Sequence, residues 1–314
     1  MTVNLLVILG PTASGKTALG VRLAREIGGE IISADSRQVY RGMDLGTGKD
    51  RDEYRSGGSA VPCHLIDLLD PEEEFHLFAF QRLFSQCFEN IRARGAFPIL
   101  VGGSGLYIEA VLMNYPLVEA PVNPALRNEL ENMDLRQLRE RLRIRRPNPH
   151  NTTDWFDRGR LIRAIEIAEA DLDPRRRTTT DEPPPALSPF VIGVHFPPDR
   201  LRERITARLR KRLADGLIEE VRGLHERGLS WERIDRFGLE YRYVAGYLQG
   251  RMDENEMFRV LNIHIHQFAK RQRSWFRRME KRGVRIHWIP GDDYAALRDC
   301  ALRHLERPTG TRTG

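Results

Sequence analysis

The sequence predicts an α/β fold: a parallel sheet with helices on both faces, interrupted by a helical insertion. Three observations predict it. An apolar run closes on a glycine-rich loop and is followed by an amphipathic stretch; strand-like and helix-like segments then alternate to about residue 115; and over residues 116–188 an arginine-rich helical pattern replaces the strand signal before strands return.

Residues 3–9 are apolar apart from Asn4, as in a strand buried on both faces, and end at Gly10. Leu19, Leu23 and Ile27 recur every four residues, so the spacing predicts a helix over 17–27, stopped by Gly28 and Gly29. Residues 30–34 read as a second strand with Asp35 at its carboxyl end, 75–94 have helical periodicity, and 97–101 form a strand running into Gly102 and Gly103. Ligands of open parallel sheets collect beyond the carboxyl ends of the strands, where Asp35 and Gly102 both lie. The insertion is broken at Pro147-Asn148-Pro149 and closed by a linker over 178–189 that contains three consecutive prolines. Residues 190–196 return to the sheet. Leu201, Ile205, Leu209, Leu213, Leu217 and Val221 then mark one helix stripe, a basic helix covers about 255–282, and 284–289 form a last strand. The tail over 308–314 has the composition of a disordered end. The expected organisation is a core of residues 1–115 and 189–314 around an insertion at 116–188.

With 314 residues, 40% hydrophobic and 30% charged, the chain can bury a full core, which excludes global disorder. Cys63, Cys87 and Cys300 are too few and too scattered for a disulfide framework, so a reducing cytoplasm is expected. No apolar stretch approaches the ~18 residues of a membrane span, and no charged leader precedes an apolar signal core; membrane and secretory readings fall away. The net charge of +6 is unevenly spread: −3 over residues 1–115, +2 over 116–180 and +7 over 181–314. Only five of the 50 basic residues are lysine, and arginine's fork suits phosphate. A polyanionic partner and plain solvated helix faces both fit this charge.

The segment GPTASGKT, comprising Gly10, Pro11, Thr12, Ala13, Ser14, Gly15, Lys16 and Thr17, matches the phosphate loop in full and sits between a strand and a helix, the context that motif requires. The fold class sharpens to a P-loop NTPase-like sheet. Backbone amides curl around a di- or triphosphate, Lys16 adds a point charge, and Thr17 is placed to ligate Mg²⁺ at the helix amino terminus. By motif alone the loop would also bind ATP. Asp35, ending a strand across the crevice, can serve as a base or a magnesium ligand, or merely cap the next helix. Lys49, in the glycine-rich segment 41–49, is expected on a flexible loop closing over phosphate. Ser104 in VGGSGLY (101–107) projects a hydroxyl into the same crevice. Arg204 and Arg208 share a helix face, suited to bidentate phosphate contacts or simply to solvent. His264 and His266 lack an accompanying carboxylate and fit helix packing better than metal binding. Lys270, Arg271, Arg273, Arg277 and Arg278, interleaved with Phe268, Trp275 and Phe276, fit either a nucleic-acid surface or an amphipathic helix docked on the core.

Together with GPTASGKT, the segments DSRQVYRGMDLGTGK (35–49), HLIDLLDP (64–71), LVGGSGLY (100–107) and KRQRSWFR (270–277) resemble the tRNA dimethylallyltransferase family. The resemblance implies transfer of a dimethylallyl group from its diphosphate to the exocyclic amine of the adenosine 3′ of the anticodon, with pyrophosphate released and Mg²⁺ assisting. It implies catalytic roles for Asp35, Lys16, Ser104 and Arg204, the phosphate loop holding the diphosphate, and Thr17 on the metal. It further implies tRNA contacts at Asp35, Ser36, Arg37, Gln38, Ser104, Gly159, Arg160, Leu161, Ile162, Arg163, Tyr241 and Arg242, the insertion gripping the anticodon stem-loop, and a monomer. The chain departs from the family at Gly159, where the family has Gln, and at Glu240, where it has Gly; its Thr-Arg-Gln reads Ile265-His266-Gln267 here, and Ser104 replaces its usual Thr. A free-adenylate prenyltransferase would share the phosphate loop, Asp35 and the glycine turn without needing a basic insertion. A P-loop small-molecule kinase carries the same minimal equipment, and a non-catalytic RNA-binding protein switched by a nucleotide is the third alternative.

Overall fold

The computed structural model describes residues 2–55, 57–117, 119–145, 157–172 and 184–305. The chain divides into two compact units, Met1–Asn114 with Pro185–Gly314, and Tyr115–Pro184. In chain order the first part of the larger unit contains β1 (Leu5–Leu9), α1 (Lys16–Ile27), β2 (Gly29–Ala34), α2 (Arg51–Arg55), β3 (Cys63–His64), α3 (Leu77–Ala93), β4 (Phe97–Gly102) and α4 (Gly105–Leu112). The smaller unit contains α5 (Pro124–Glu131), α6 (Leu135–Arg145) and α7 (Arg158–Asp171). The larger unit resumes with β5 (Pro189–His195), α8 (Pro198–Ala214), α9 (Leu217–Glu226), α10 (Trp231–Ile234), α11 (Leu239–Leu248), α12 (Glu254–Lys281), β6 (Ile286–Pro290) and α13 (Tyr294–Leu305).

The six strands form one sheet in the order β3-β2-β4-β1-β5-β6, and every neighbouring pair is parallel. Successive residues of β1 explain why it is apolar throughout. Leu5, Val7 and Leu9 face a core built from α3, α4 and α12, whereas Leu6 and Ile8 face one built from α1 and α13. On α3 the four-residue spacing of Phe80, Phe84 and Phe88 puts all three rings into the first core, each contributing about 1.5–3 kcal/mol. A third core joins α8, α9, α11 and α12 to Val39, Tyr40 and Met43 of the segment after β2.

The stripe expected as one helix is two. Gly216, at φ +105°, ends the run between α8 and α9, and Leu201 and Leu209 on one side and Leu217 and Val221 on the other still enter the same core. The short β3 and α2 carry too few residues for periodicity to reveal them. Pro147-Asn148-Pro149, residues 178–183 of the expected linker and the tail over 308–314 lie outside the described residues; β5 begins at Pro189, within that expected linker.

In the smaller unit, Leu126 and Leu130 of α5, Leu138 and Leu142 of α6, and Leu161 and Ile165 of α7 form its own core. The buried carboxylate of Glu166 accepts from the Asn123 main-chain N–H, Arg127 and Arg163, and these bonds hold it below the ordinary carboxylate range although burial alone would raise it. Among the described residues no helix is long and apolar enough to cross a membrane.

Candidate active site

At the carboxyl ends of β1, β2 and β4 the larger unit encloses a cavity of about 290 Å³. Its wall includes Thr12, Lys16 and Thr17 of the phosphate loop, Asp35 to Gln38 beyond β2, Gly102 to Ser104 beyond β4, Arg208 and Arg212 of α8, and Phe237 to Glu240, Ile265, Phe268 and Gln272. A second hollow of about 280 Å³ shares Lys16, Thr17, Asp50 and Arg208 with the first and adds Arg204 and Glu53. The phosphate loop is thus approached from two spaces.

The loop itself is shaped by local geometry. Gly15 sits at φ +78° at the head of α1, a conformation that turns the chain so that the first amides of the helix face outward. The Thr12 N–H donates to Gln272 Oε1 at 2.8 Å, and Gln272 Nε2 donates to the Gly103 carbonyl at 2.9 Å. One buried amide of α12 therefore ties the phosphate loop to the glycine turn. Arg204 is held by its Nε donating to the Ala13 carbonyl at 2.8 Å and by stacking on Phe196, with the ring centroid 4.6 Å away. Burial first, and then Arg208, lowers the Lys16 ammonium to about 8, although Asp35, Asp50 and Glu53 oppose this. An anion bound beside Lys16 would favour its charged form, which burial and Arg208 disfavour.

Asp35 follows directly on β2, and its Oδ1 accepts from the Arg37 N–H at 2.8 Å, an Asx turn that leaves the second oxygen to the cavity. The Ser104 hydroxyl makes no capping bond to α4 and also lines the cavity. Gln38 is bound on both sides: Ser33 Oγ donates to its Oε1 at 2.9 Å, and its Nε2 donates to the Gly48 carbonyl at 2.9 Å. Ser36 and Arg37 complete this wall, with Arg37 directed over Phe237.

Several residues take places other than those expected. Lys49 does not reach toward phosphate. It is fully buried, and its Nζ donates to the Tyr40 carbonyl at 2.6 Å, to Asp44 at 2.7 Å and to Asp67 at 2.5 Å, so its charge is spent inside the protein. Tyr241, expected at the RNA, lies in the core with its hydroxyl donating to Glu220 Oε1 at 2.7 Å. Glu220 in turn accepts from the N–H groups of Asp44, Leu45 and Gly46, which fixes the loop over the cavity. Leu161 is buried in the smaller unit's core and Ile162 packs against it, while Arg163 donates to Glu166 and to the Ala120 carbonyl; Gly159 and Arg160 on that helix, and Arg242 on α11, are exposed. His264 stacks on Tyr243, and His266 meets Thr206.

The residues that sequence reasoning passed over are Gln272, Arg212 and Glu53; Glu240 shows in the sequence only as a departure from the resembled family. Arg212 is buried against Gly48, where a Cβ would collide with its guanidinium, and lies 3.6 Å from Glu240 and 3.9 Å from Asp50. Burial lowers it to about 10, so it stays charged. Glu53 is pushed up to about 7 by burial and by Asp50, and its Oε2 is buried without a hydrogen-bond partner. Only the four-residue spacing from Arg208 to Arg212 could have signalled any of these.

A phosphate loop, a strand-end carboxylate and a hydroxyl-bearing glycine turn around one cavity define an α/β P-loop protein that can hold a phosphorylated donor against an acid–base group. The IPP transferase family model matches residues 38–279, and the isopentenyl transferase model matches residues 3–58. The chain belongs to the IPP transferase family. It is 57% identical over 300 residues to tRNA dimethylallyltransferase 1 of Syntrophus aciditrophicus (strain SB), covering 95% of this chain and 97% of the relative. It is 54% identical over 292 residues to tRNA dimethylallyltransferase 1 of Geotalea uraniireducens (strain Rf4), covering 93% and 94%. Among solved structures it is similar to the tRNA isopentenylpyrophosphate transferase of Bacillus halodurans, with TM-score 0.69 and 32% identity over 96% of this chain and 97% of that one. A eukaryotic dimethylallyltransferase acting on tRNA shares the fold, with TM-score 0.75 at 22% identity over 99% of this chain and 82% of that one.

Proposed function

We propose that this enzyme transfers a dimethylallyl group from dimethylallyl diphosphate to the exocyclic amine of the adenosine 3′ of the anticodon in tRNA. Family membership supports the class of reaction, and the observation that carries the assignment of roles is the meeting of Lys16, Thr17, Asp35 and Ser104 in one cavity. The diphosphate lies on the amides of the phosphate loop, with Lys16, Arg204 and Arg208 around it. As the allylic C–O bond breaks, charge grows on the departing pyrophosphate, and these cations stabilise it. The amine nitrogen forms the new C–N bond and loses one proton to Asp35. Ser104, which lines the same cavity, is proposed to hydrogen-bond the adenine ring beside its amine. ATP takes no part in this reaction.

Mg²⁺ fits the donors of the smaller hollow. Thr17 and the orphaned Glu53 Oε2 are hard oxygen donors, and since no group of three metal-ligating side chains occurs among the described residues, diphosphate oxygens and water would complete the shell. When bound, the ion would neutralise charge on the leaving group.

An adenine stacked in an anticodon loop cannot reach Asp35, so the nucleotide must be extruded into the cavity, where Phe237 and Phe268 offer it apolar walls. Exposed Gly159, Arg160 and Arg242 are proposed contacts of the anticodon stem-loop. The reaction is proposed to run in the cytoplasm on a monomer. Incubation with unmodified tRNA, dimethylallyl diphosphate and Mg²⁺ should yield prenylated adenosine without ATP consumption. Asp35→Ala should abolish turnover and leave tRNA affinity within about threefold. Phosphoryl transfer from ATP to an acceptor, with no prenylation, would overturn the reading.

A further inference from the structure

Three carboxyl groups line the larger cavity, and they do not share one environment. Asp50 also lines the hollow at the diphosphate end, whereas Asp35 and Glu240 do not, and they share the cavity wall with Phe237 and Phe268. Glu240 is the second residue of α11, after the capping Gly238 and Leu239, at a position where the resembled family carries glycine. Its side chain is 19% exposed. Apart from its own main-chain N–H, its nearest partner is Arg212 Nη1 at 3.6 Å, beyond hydrogen-bond reach. A carboxyl mostly removed from water without a hydrogen bond from a neighbouring side chain is costly unless something else supplies the donor.

The groups facing it are Arg212 and Arg208 from α8 and Asp35 from the end of β2. Burial raises the Glu240 carboxyl above its ordinary range, the two arginines oppose this, and Asp35 adds to it; the two acids are therefore near enough to feel each other. Arg212 is locked between Gly48, Asp50 and Glu240, with its own Nη2 buried and unpartnered. Its guanidinium lies in the cavity wall 3.6 Å from Glu240, so it acts as a positioning residue for Glu240.

We propose that Glu240 is a specificity-determining residue for the acceptor: its carboxyl accepts one N–H of the base's exocyclic amine while Asp35 takes the other. The inference rests on the prenyl-transfer reading above and names how that site selects its acceptor. An exocyclic amine has two N–H bonds and a lone pair delocalised into the ring. Two acceptors on opposite N–H bonds fix its orientation toward the donor carbon. In the reaction the C–N bond forms as the C–O bond breaks, the C–O electron pair leaves with pyrophosphate, one amine proton passes to Asp35, and the other stays on nitrogen held by Glu240. A base with a carbonyl at that position has no N–H to offer and would set its lone pairs against two carboxyl groups, which is how a polar site rejects an isostere.

The test compares the wild-type enzyme with Glu240→Gln and Glu240→Ala on anticodon stem-loop RNAs bearing adenosine or inosine at the acceptor position. Wild type should prenylate the adenosine RNA and bind the inosine RNA at least about tenfold more weakly. Glu240→Gln, whose amide can donate to a carbonyl, should narrow that ratio severalfold, a gain that a merely structural role would not produce. Glu240→Ala should lower kcat on adenosine RNA about tenfold with the KM for dimethylallyl diphosphate unchanged. An adenosine-to-inosine ratio equal in all three proteins, or an alanine defect seen as a raised KM for the diphosphate, would overturn the proposal. A wild-type enzyme inert toward the adenosine RNA would instead remove the functional reading on which it stands.

Discussion

Helices α8 and α12 are both basic and amphipathic, and along the chain they look alike, yet the fold puts their arginines to opposite uses. On α8, Arg204 and Arg208 extend toward the phosphate loop beside Asp50 and Glu53, yet among the described residues neither arginine forms an ion pair or hydrogen bond with these carboxylates. At the end of α12, Arg278 and the capping Arg282 converge on one buried carboxylate. Glu109 accepts from Arg278 at 2.7 Å, Arg282 at 2.6 Å and the Trp275 indole at 2.8 Å, and Arg278 also lies 3.8 Å from the centroid of that indole. What separates a binding arginine from a structural one is the acceptor waiting opposite. Charge supplied with a buried partner becomes architecture, and charge supplied without one becomes affinity for an anion.

Removing one arginine from each helix separates the two uses. Arg208→Ala should lower kcat/KM for dimethylallyl diphosphate by about 10²–10³, since a charge-assisted contact to the leaving group strengthens in the transition state. Arg278→Ala should leave the same ratio within about threefold. Steady-state kinetics at saturating tRNA decide it; equal losses in both variants would mean that the two helices do not divide the work.

Stability should respond in the opposite sense. Glu109→Gln leaves two arginines facing a neutral amide and should cost about 1–3 kcal/mol in urea unfolding. The hydrogen bonds from Arg278 and Arg282 hold the Glu109 carboxyl below its ordinary value of 4.5, although burial alone would raise it. The sign follows from linkage: the contribution is fully present above pH 4.5 and is lost as pH falls through the depressed folded value. Wild type and Glu109→Gln should therefore converge in stability as the pH falls below 4.5 through the depressed folded value. A gap that persists there would assign the cost to packing instead of charge.

The fold was legible because its signals are local. The all-apolar β1, the phosphate loop and the four-residue rhythm of α1 and α3 lie in short windows, and the glycine turns marked the carboxyl edge where Asp35 and Ser104 meet. What escaped was decided by partners far away in sequence. Nothing near Lys49 reveals that Asp67 will consume its charge, and nothing near Gln272 reveals that it will join Thr12 to Gly103 across 260 and 169 positions. Tyr241 was misplaced for the same reason, since Glu220 claims its hydroxyl. The split of α8 from α9 was hidden because the apolar rhythm runs through Gly216 without a phase change, and only the backbone conformation there breaks it.

The smallest effect concerns two adjacent residues of α12. Arg278 is tied to Glu109, whereas Arg277 is exposed and makes no hydrogen bond or ion pair among the described residues. If unpartnered arginines on this helix meet RNA phosphates, each releases about one counterion on binding. Arg277→Ala should then reduce the slope of log affinity for tRNA against log salt by about 1 and weaken binding a few-fold, with the thermal midpoint unmoved. Arg278→Ala should do the reverse, leaving the salt slope intact while costing about 1 kcal/mol of stability. Measuring both quantities in both variants makes the neighbours controls for each other, and a salt slope that shifts with Arg278 but not with Arg277 would invert the assignment of binding and structural charge on α12.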